Sequence, residues 1–270
     1  MAQKRSSAAS NPTIIVVPGA ACRVVFYNGL VQQLISNGYD AHTYDLLTAS
    51  REPPQEPATL AEDAKFFHDK IEALVNAGRD VVVVAHSYGG MVATDAVQGL
   101  AKTDRVSQGL AGGVVRIIYL TCIVAGVGQT AGELTAHLDF KDFMEAVGEK
   151  GEYLGQIAGP KGAQVIFSDL PLEEALAWQG RQSLQSRVCY AGKAVFDAYR
   201  QIPVSYIFCA GDKVLPPEFQ QGRIDFLKKE ARELDLFCLE TGHCPNVSEP
   251  EATATVICDA IERKMVVTNV

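Results

Sequence analysis

A chain of 270 residues, 47% of them apolar, can bury a sizeable core and suits one α/β domain carrying an insertion. Its formal charge of −8 speaks against binding nucleic acid or an acidic membrane surface, since both demand basic patches. No apolar run approaches the roughly 20 residues that span a bilayer, and the opening "MAQKRSSAASNP" lacks the apolar stretch of a secretory leader.

After that opening, expected to be a flexible tail over 1–11, β-branched runs alternate with helical patterns. "TIIVV" (13–17) and "DAHTYD" (40–45) read as strands around the helical "VVFYNGLVQQLISNG". "ATLAEDAKFFHDKIEALVNAG" then carries apolar residues at helical spacing, and Gly38 and Gly78 stand where two of these helices should end. "DVVVVA" (80–85), the helical "GGMVATDAVQGLAK" and "VVRIIYL" (114–120) continue the alternation. Several strands are apolar throughout, the mark of strands buried on both faces of a parallel sheet. From 127 to 200 the alternation stops, and "ELTAHLDFKDFMEAVGEK" and "SDLPLEEALAWQGRQSLQS" read as short helices, with "AQVIFSD" a candidate brief strand. A connection this long is expected to be a small helical lid. "VSYIFCA" (204–210) and "LDLFCLE" (234–240) complete the pattern. The expected fold class is therefore a doubly wound, mostly parallel α/β sheet, with 12–126 and 201–270 as core and 127–200 as lid.

The informative stretch is "VVVVAHSYGGMVA", where a buried strand runs into Ser87 and a helix opens on Gly89-Gly90. A serine on so tight a strand-to-helix turn is lifted out of the sheet, and small residues are needed two places to either side, here Ala85 and Gly89. The same turn aims the Tyr88 N–H into the space above, beside the positive end of the new helix. A serine hydroxyl needs a base, and the base an orienting acid. Among five histidines, His243 in "ETGHCPN" alone lies on a loop at a strand end beyond Ser87. Asp212 in "CAGDKVLPP" follows the preceding strand, giving the chain order serine, acid, histidine. "VVPGAAC" offers a second oxyanion donor, the N–H of Ala20 after Gly19.

In "VVPGAAC", "AHSYGG", "GDKVLPPEFQ" and "TGHCPNVSEPE" the chain resembles the α/β-hydrolase superfamily, and within it is similar to the lidded branch that includes plant methylesterases and hydroxynitrile lyases, and to small fungal and bacterial hydrolases. The resemblance runs from residue 12 to near the end and implies a Ser87–Asp212–His243 triad with Ala20 and Tyr88 as oxyanion hole. Pro18-Gly19 replaces the family's usual His-Gly, and Cys244 stands where the lyases carry lysine, which disfavours cyanohydrin cleavage. The expected activity is hydrolysis of an ester or lactone of a small, largely apolar organic substrate. Phe140, Phe143, Tyr153, Phe167, Leu170 and Trp178 are the substrate-pocket candidates, and Tyr190 and Phe196 are no better placed. Two rivals stay open: non-hydrolytic or carbon–carbon chemistry on a polyketide-like metabolite in the same site, and a non-catalytic small-ligand receptor. No cofactor and no metal is implied, because His243 and Cys244 are adjacent and no partner cluster accompanies them. Seven cysteines, an odd number without repeated spacing, fit free thiols and a cytoplasmic location. No nucleic-acid or membrane partner is expected, and a homodimer is an open possibility.

Overall fold

The computed structural model describes residues 11–263, so all but Asn11 of the expected tail lies outside the described residues. In chain order the first half comprises β1 (Thr13–Val17), α1 (Asn28–Ser36), β2 (Asp40–Thr43), α2 (Leu60–Asn76), β3 (Asp80–His86), α3 (Gly89–Ala96), α4 (Lys102–Ser107) and β4 (Gly113–Leu120). The segment that follows holds α5 (Ala131–Thr135), β5 (Met144–Val147), β6 (Tyr153–Gln156), α6 (Pro160–Ile166), α7 (Leu172–Gln179) and β7 (Gln185–Ser186). The chain then returns through β8 (Val204–Cys209), α8 (Pro217–Glu230), β9 (Leu234–Leu239), α9 (Pro245–Ser248) and α10 (Pro250–Glu262).

Six strands form one sheet in the order β2-β1-β3-β4-β8-β9, every neighbouring pair parallel. All six strand runs legible in the sequence are its members. Because successive side chains alternate across a strand, the sheet feeds two cores. Ile15, Val17, Val81, Val83 and Ile117 pack on one face against Phe67 and Ile71 of α2 and Met91 and Val92 of α3. Ile14, Val16, Val82, Val84 and Ile118 face the other way, onto Leu30 and Leu34 of α1 and Ala254 and Ile257 of α10. The apolar runs are thus explained by burial on both sides.

Local chemistry sets the helix ends. Thr59 caps α2 in a reciprocal box: its side chain accepts the Glu62 N–H, and Glu62 accepts the Thr59 N–H. Gly38 and Gly78 end α1 and α2 at φ +88° and +83°, a region that favours glycine.

The segment between β4 and β8 differs from the helical expectation. β5, β6 and β7 form a three-stranded sheet, antiparallel throughout. Its first hairpin turns through Gly148 and Gly151, both at positive φ, so "VGEKGEY" carried a turn signal rather than a helical one. "AQVIFSD" is not a strand: its first four residues, Ala163 to Ile166, lie in α6, which begins at Pro160 with proline's φ already suited to a first helical turn.

Candidate active site

Ser87 sits between β3 and α3 at φ +55°, a left-handed conformation costing a residue with a side chain roughly 1–2 kcal/mol. Its N–H donates to the Leu120 carbonyl at 3.2 Å, so β4 holds the turn. The glycines that follow are demanded by space. A Cβ on Gly89 would lie 2.5 Å from the Pro18 carbonyl oxygen and 2.7 Å from that of Val17. On Gly90 it would lie 2.5 Å from the Ile123 carbonyl oxygen. Helix α3 therefore starts in contact with the end of β1.

The structure brings together the three residues singled out from the sequence. His243 Nε2 is 3.0 Å from Ser87 Oγ, and His243 Nδ1 is 2.7 Å from Asp212 Oδ2. A carboxylate only accepts, so Nδ1 carries the proton and Nε2 is left to accept from the serine hydroxyl. Asp212 is 2% exposed and fully engaged: Oδ1 accepts the N–H groups of Val214 (2.7 Å) and Leu215 (2.9 Å), and Oδ2 also accepts Thr121 Oγ1 at 2.5 Å. Thr121, just past β4 at φ +40°, went unnoticed in the sequence. Nothing local marks it, since its role arises only when β4 and β8 become neighbours.

A second polar chain runs behind the serine. His86 is 1% exposed, with Nε2 2.7 Å from the His243 carbonyl oxygen and Nδ1 2.7 Å from Tyr27 Oη. The carbonyl accepts, so Nε2 is protonated and Tyr27 donates to Nδ1. Tyr27 Oη in turn accepts the Gly19 N–H at 2.7 Å. Burial, with the neighbouring His243 adding to it, pushes His86 down to about 3, so this imidazole stays neutral. The chain Gly19–Tyr27–His86–His243 thus ties the loop after β1 to the histidine loop. Within the described residues, the N–H groups of Ala20 and Tyr88 make no hydrogen bond and are free to receive an oxygen.

A cavity of about 790 Å³ opens over Ser87, lined there by Ala20, Tyr88 and His243. Phe140 and Phe143 line it, packed edge to face at 5.7 Å. Tyr190 joins them, 5.6 Å from the Tyr88 ring, whereas Phe196 does not line it. Four expected residues are elsewhere. Tyr153 is fully buried with its hydroxyl donated to the Gln55 carbonyl. Phe167 stacks on Phe26 at 6.3 Å and Trp178 tilts over the same ring at 5.2 Å, while Leu170 packs on the cluster around them. These side chains brace the 127–200 segment against the connections that follow β1 and β2 instead of facing the cavity. Met144, Leu154, Ile166, Val214 and Leu215, not identified from the sequence, complete the apolar wall. All seven cysteines are free thiols, and among the described residues no helix is long and apolar enough to cross a membrane.

The family model described as alpha/beta hydrolase family matches residues 14–256. A probable hydrolase of the fungus Phoma is 32% identical over 258 residues, covering 93% of this chain and 98% of its own. An alpha/beta hydrolase of Aspergillus novofumigatus is 30% identical over 254 residues, covering 92% and 96%. Among solved structures, a pyrethroid hydrolase from Sphingobium faniae superposes with a TM-score of 0.70 at 20% identity, over 93% of this chain and 97% of its own. Polyneuridine aldehyde esterase does so at 0.72 and 17% identity, over 92% and 98%. At such identities the structural likeness bears on the fold.

Proposed function

The chain belongs to the alpha/beta hydrolase family, and from that premise we propose that it is a serine hydrolase cleaving an ester or lactone of a small, largely apolar organic substrate. The observation that carries this reading is the unbroken hydrogen-bonded line Ser87–His243–Asp212 at the floor of a mainly apolar cavity. Ser87 Oγ attacks the substrate carbonyl while His243 Nε2 takes its proton. The carbonyl oxygen, now negative, moves between the N–H groups of Ala20 and Tyr88, each such donor being worth about 3 kcal/mol to the transition state. Asp212 keeps the imidazole in the required tautomer and stabilises the imidazolium. His243 then delivers the proton to the departing alkoxide, and water, deprotonated by the same nitrogen, releases the acid from Ser87. The 127–200 segment acts as the lid, its Phe140 and Phe143 contacting the apolar part of the substrate.

A panel of p-nitrophenyl esters and simple lactones, assayed with the wild type and Ser87→Ala, tests the reading. Turnover on at least one short or medium acyl chain is expected, falling by a factor of roughly 10³ or more in the variant. Undiminished turnover by Ser87→Ala would rule out the serine as nucleophile.

A further inference from the structure

The 127–200 segment reaches beneath the cavity as well as over it. Gln185, at the start of β7, is completely buried: its Oε1 accepts the Ala21 N–H at 2.9 Å and its Nε2 points at Cys189 Sγ at 3.2 Å. The Ser183 N–H donates to the Ala21 carbonyl at 3.0 Å. Both backbone polar groups of Ala21 are therefore held from outside its own loop. Ala21 has φ +56°, a conformation that a residue with a side chain keeps only where its surroundings impose it. The residue before it is Ala20, whose N–H is free.

A second grip lies across the site. Asp169 Oδ2 accepts the Gly242 N–H at 2.8 Å and the Ser248 hydroxyl at 2.7 Å. Ser168 Oγ donates to the Gly211 carbonyl at 3.2 Å, and the Gly211 N–H donates to the Thr241 carbonyl at 2.9 Å. Gly211 and Gly242 directly precede Asp212 and His243. A Cβ on Gly242 would stand 2.6 Å from Ser168 Oγ and 2.8 Å from Asp169 Oδ1, so a glycine there is what admits the Ser168–Asp169 corner.

We infer that Gln185 and Asp169 are positioning residues, Gln185 for the oxyanion-binding loop and Asp169 for the loop carrying His243. This inference rests on the serine-hydrolase reading. Neither side chain touches a reacting atom; each fixes the backbone one residue away from a group that does. Loss of the Gln185 carbonyl leaves the Ala21 N–H buried without an acceptor and lets the strained residue relax, turning the Ala20 N–H away from the developing oxyanion.

The test compares wild type with Gln185→Met, which keeps length and apolar volume, and with Asp169→Ala and Asp169→Asn. Asp169 is exposed, so its variants can fold even if the buried change cannot. The readouts are kcat and KM on a p-nitrophenyl ester, the affinity of an alkyl boronic acid that forms a tetrahedral adduct with serine, and the rate of fluorophosphonate labelling. Gln185→Met should lower kcat by about 10- to 100-fold, part of the ~10²–10³ that a whole oxyanion donor supplies. Boronate affinity should fall by a similar factor, with KM within about threefold because the ground-state cavity is untouched. Asp169→Ala should lower kcat about tenfold, and Asp169→Asn should restore it to within about threefold, since the amide oxygen accepts the same two bonds. Folded variants with lower Tm but wild-type kcat and boronate affinity would overturn the inference. If the wild type itself neither turns over esters nor labels, the serine-hydrolase reading is what fails.

Discussion

Replacing Tyr27 by phenylalanine removes one oxygen and leaves two buried groups without partners. Tyr27 Oη accepts the Gly19 N–H and lies against His86 Nδ1, both at 2.7 Å, and Tyr27 itself is fully buried. His86 is only 1% exposed, so bulk water does not replace the lost hydroxyl freely. An orphaned buried donor or acceptor costs about 1–3 kcal/mol, so the pair sets a range of about 2–6. The new ring edge needs no desolvation of a hydroxyl, which places the expectation near 3 kcal/mol. With a urea m-value of about 2–3 kcal/mol/M, the unfolding midpoint should drop by about 1 M. Because Gly19 leads directly into Ala20, kcat of the folded variant should also fall, by about tenfold. Equilibrium urea unfolding followed by fluorescence, together with ester kinetics on the folded fraction, measures both. A stability loss under about 0.5 kcal/mol with unchanged kcat would refute the view that this chain of hydrogen bonds supports the site.

Asp212→Asn should leave the fold intact and lower kcat by about 10⁴, because an amide in place of the carboxylate no longer holds the Nδ1-protonated tautomer of His243; steady-state kinetics with an unchanged circular dichroism spectrum checks it. Thr121→Val keeps the β-branched shape at φ +40° but removes the 2.5 Å hydrogen bond to Asp212, and should cost about 1.5–3 kcal/mol, read as stability in urea and as kcat. Gly89→Ala should abolish soluble expression or lower Tm by well over 5 °C, because its Cβ would meet two carbonyl oxygens of the β1 end that cannot withdraw. Burial raises Asp63 from 3.8 to about 6 against the hydrogen bonds it accepts from Thr48. The folded state then holds more protons than the unfolded one between about pH 4 and 6, so this residue's contribution to stability falls as pH rises through that window and is flat above it. In Asp63→Asn that slope disappears, and the wild-type-minus-variant stability should decline by at most about 3 kcal/mol from pH 4 to pH 6.

Much of the core was legible because its signals are local and redundant. "DVVVVA" needs both faces buried, and the tight turn at Ser87 needs small neighbours, so strand and serine could be read together. Asp212 and His243 follow once strand ends are located, since each stands on the loop just beyond one. The 127–200 segment was less legible for an equally physical reason. Strands of two to four residues give too few alternations to reveal a period, and an aromatic residue fits a cavity wall and a brace equally well until tertiary packing decides. Phe167 and Trp178 went to the brace around Phe26, while Met144 and Leu154 took cavity positions. Thr121, Gln185 and Asp169 act on residues remote in the chain, and no spacing rule announces such partners.

In the proposed mechanism His243 activates the Ser87 hydroxyl toward an acyl carbon. Intact-mass and peptide mapping of the wild type and His243→Ala after brief exposure to a fluorophosphonate tests it most directly. One stoichiometric adduct is expected on the Ser87 peptide of the wild type, with labelling slowed by at least ~10³ in the variant. An unlabelled wild type, an adduct on another residue, or equal labelling rates in the two proteins would contradict it.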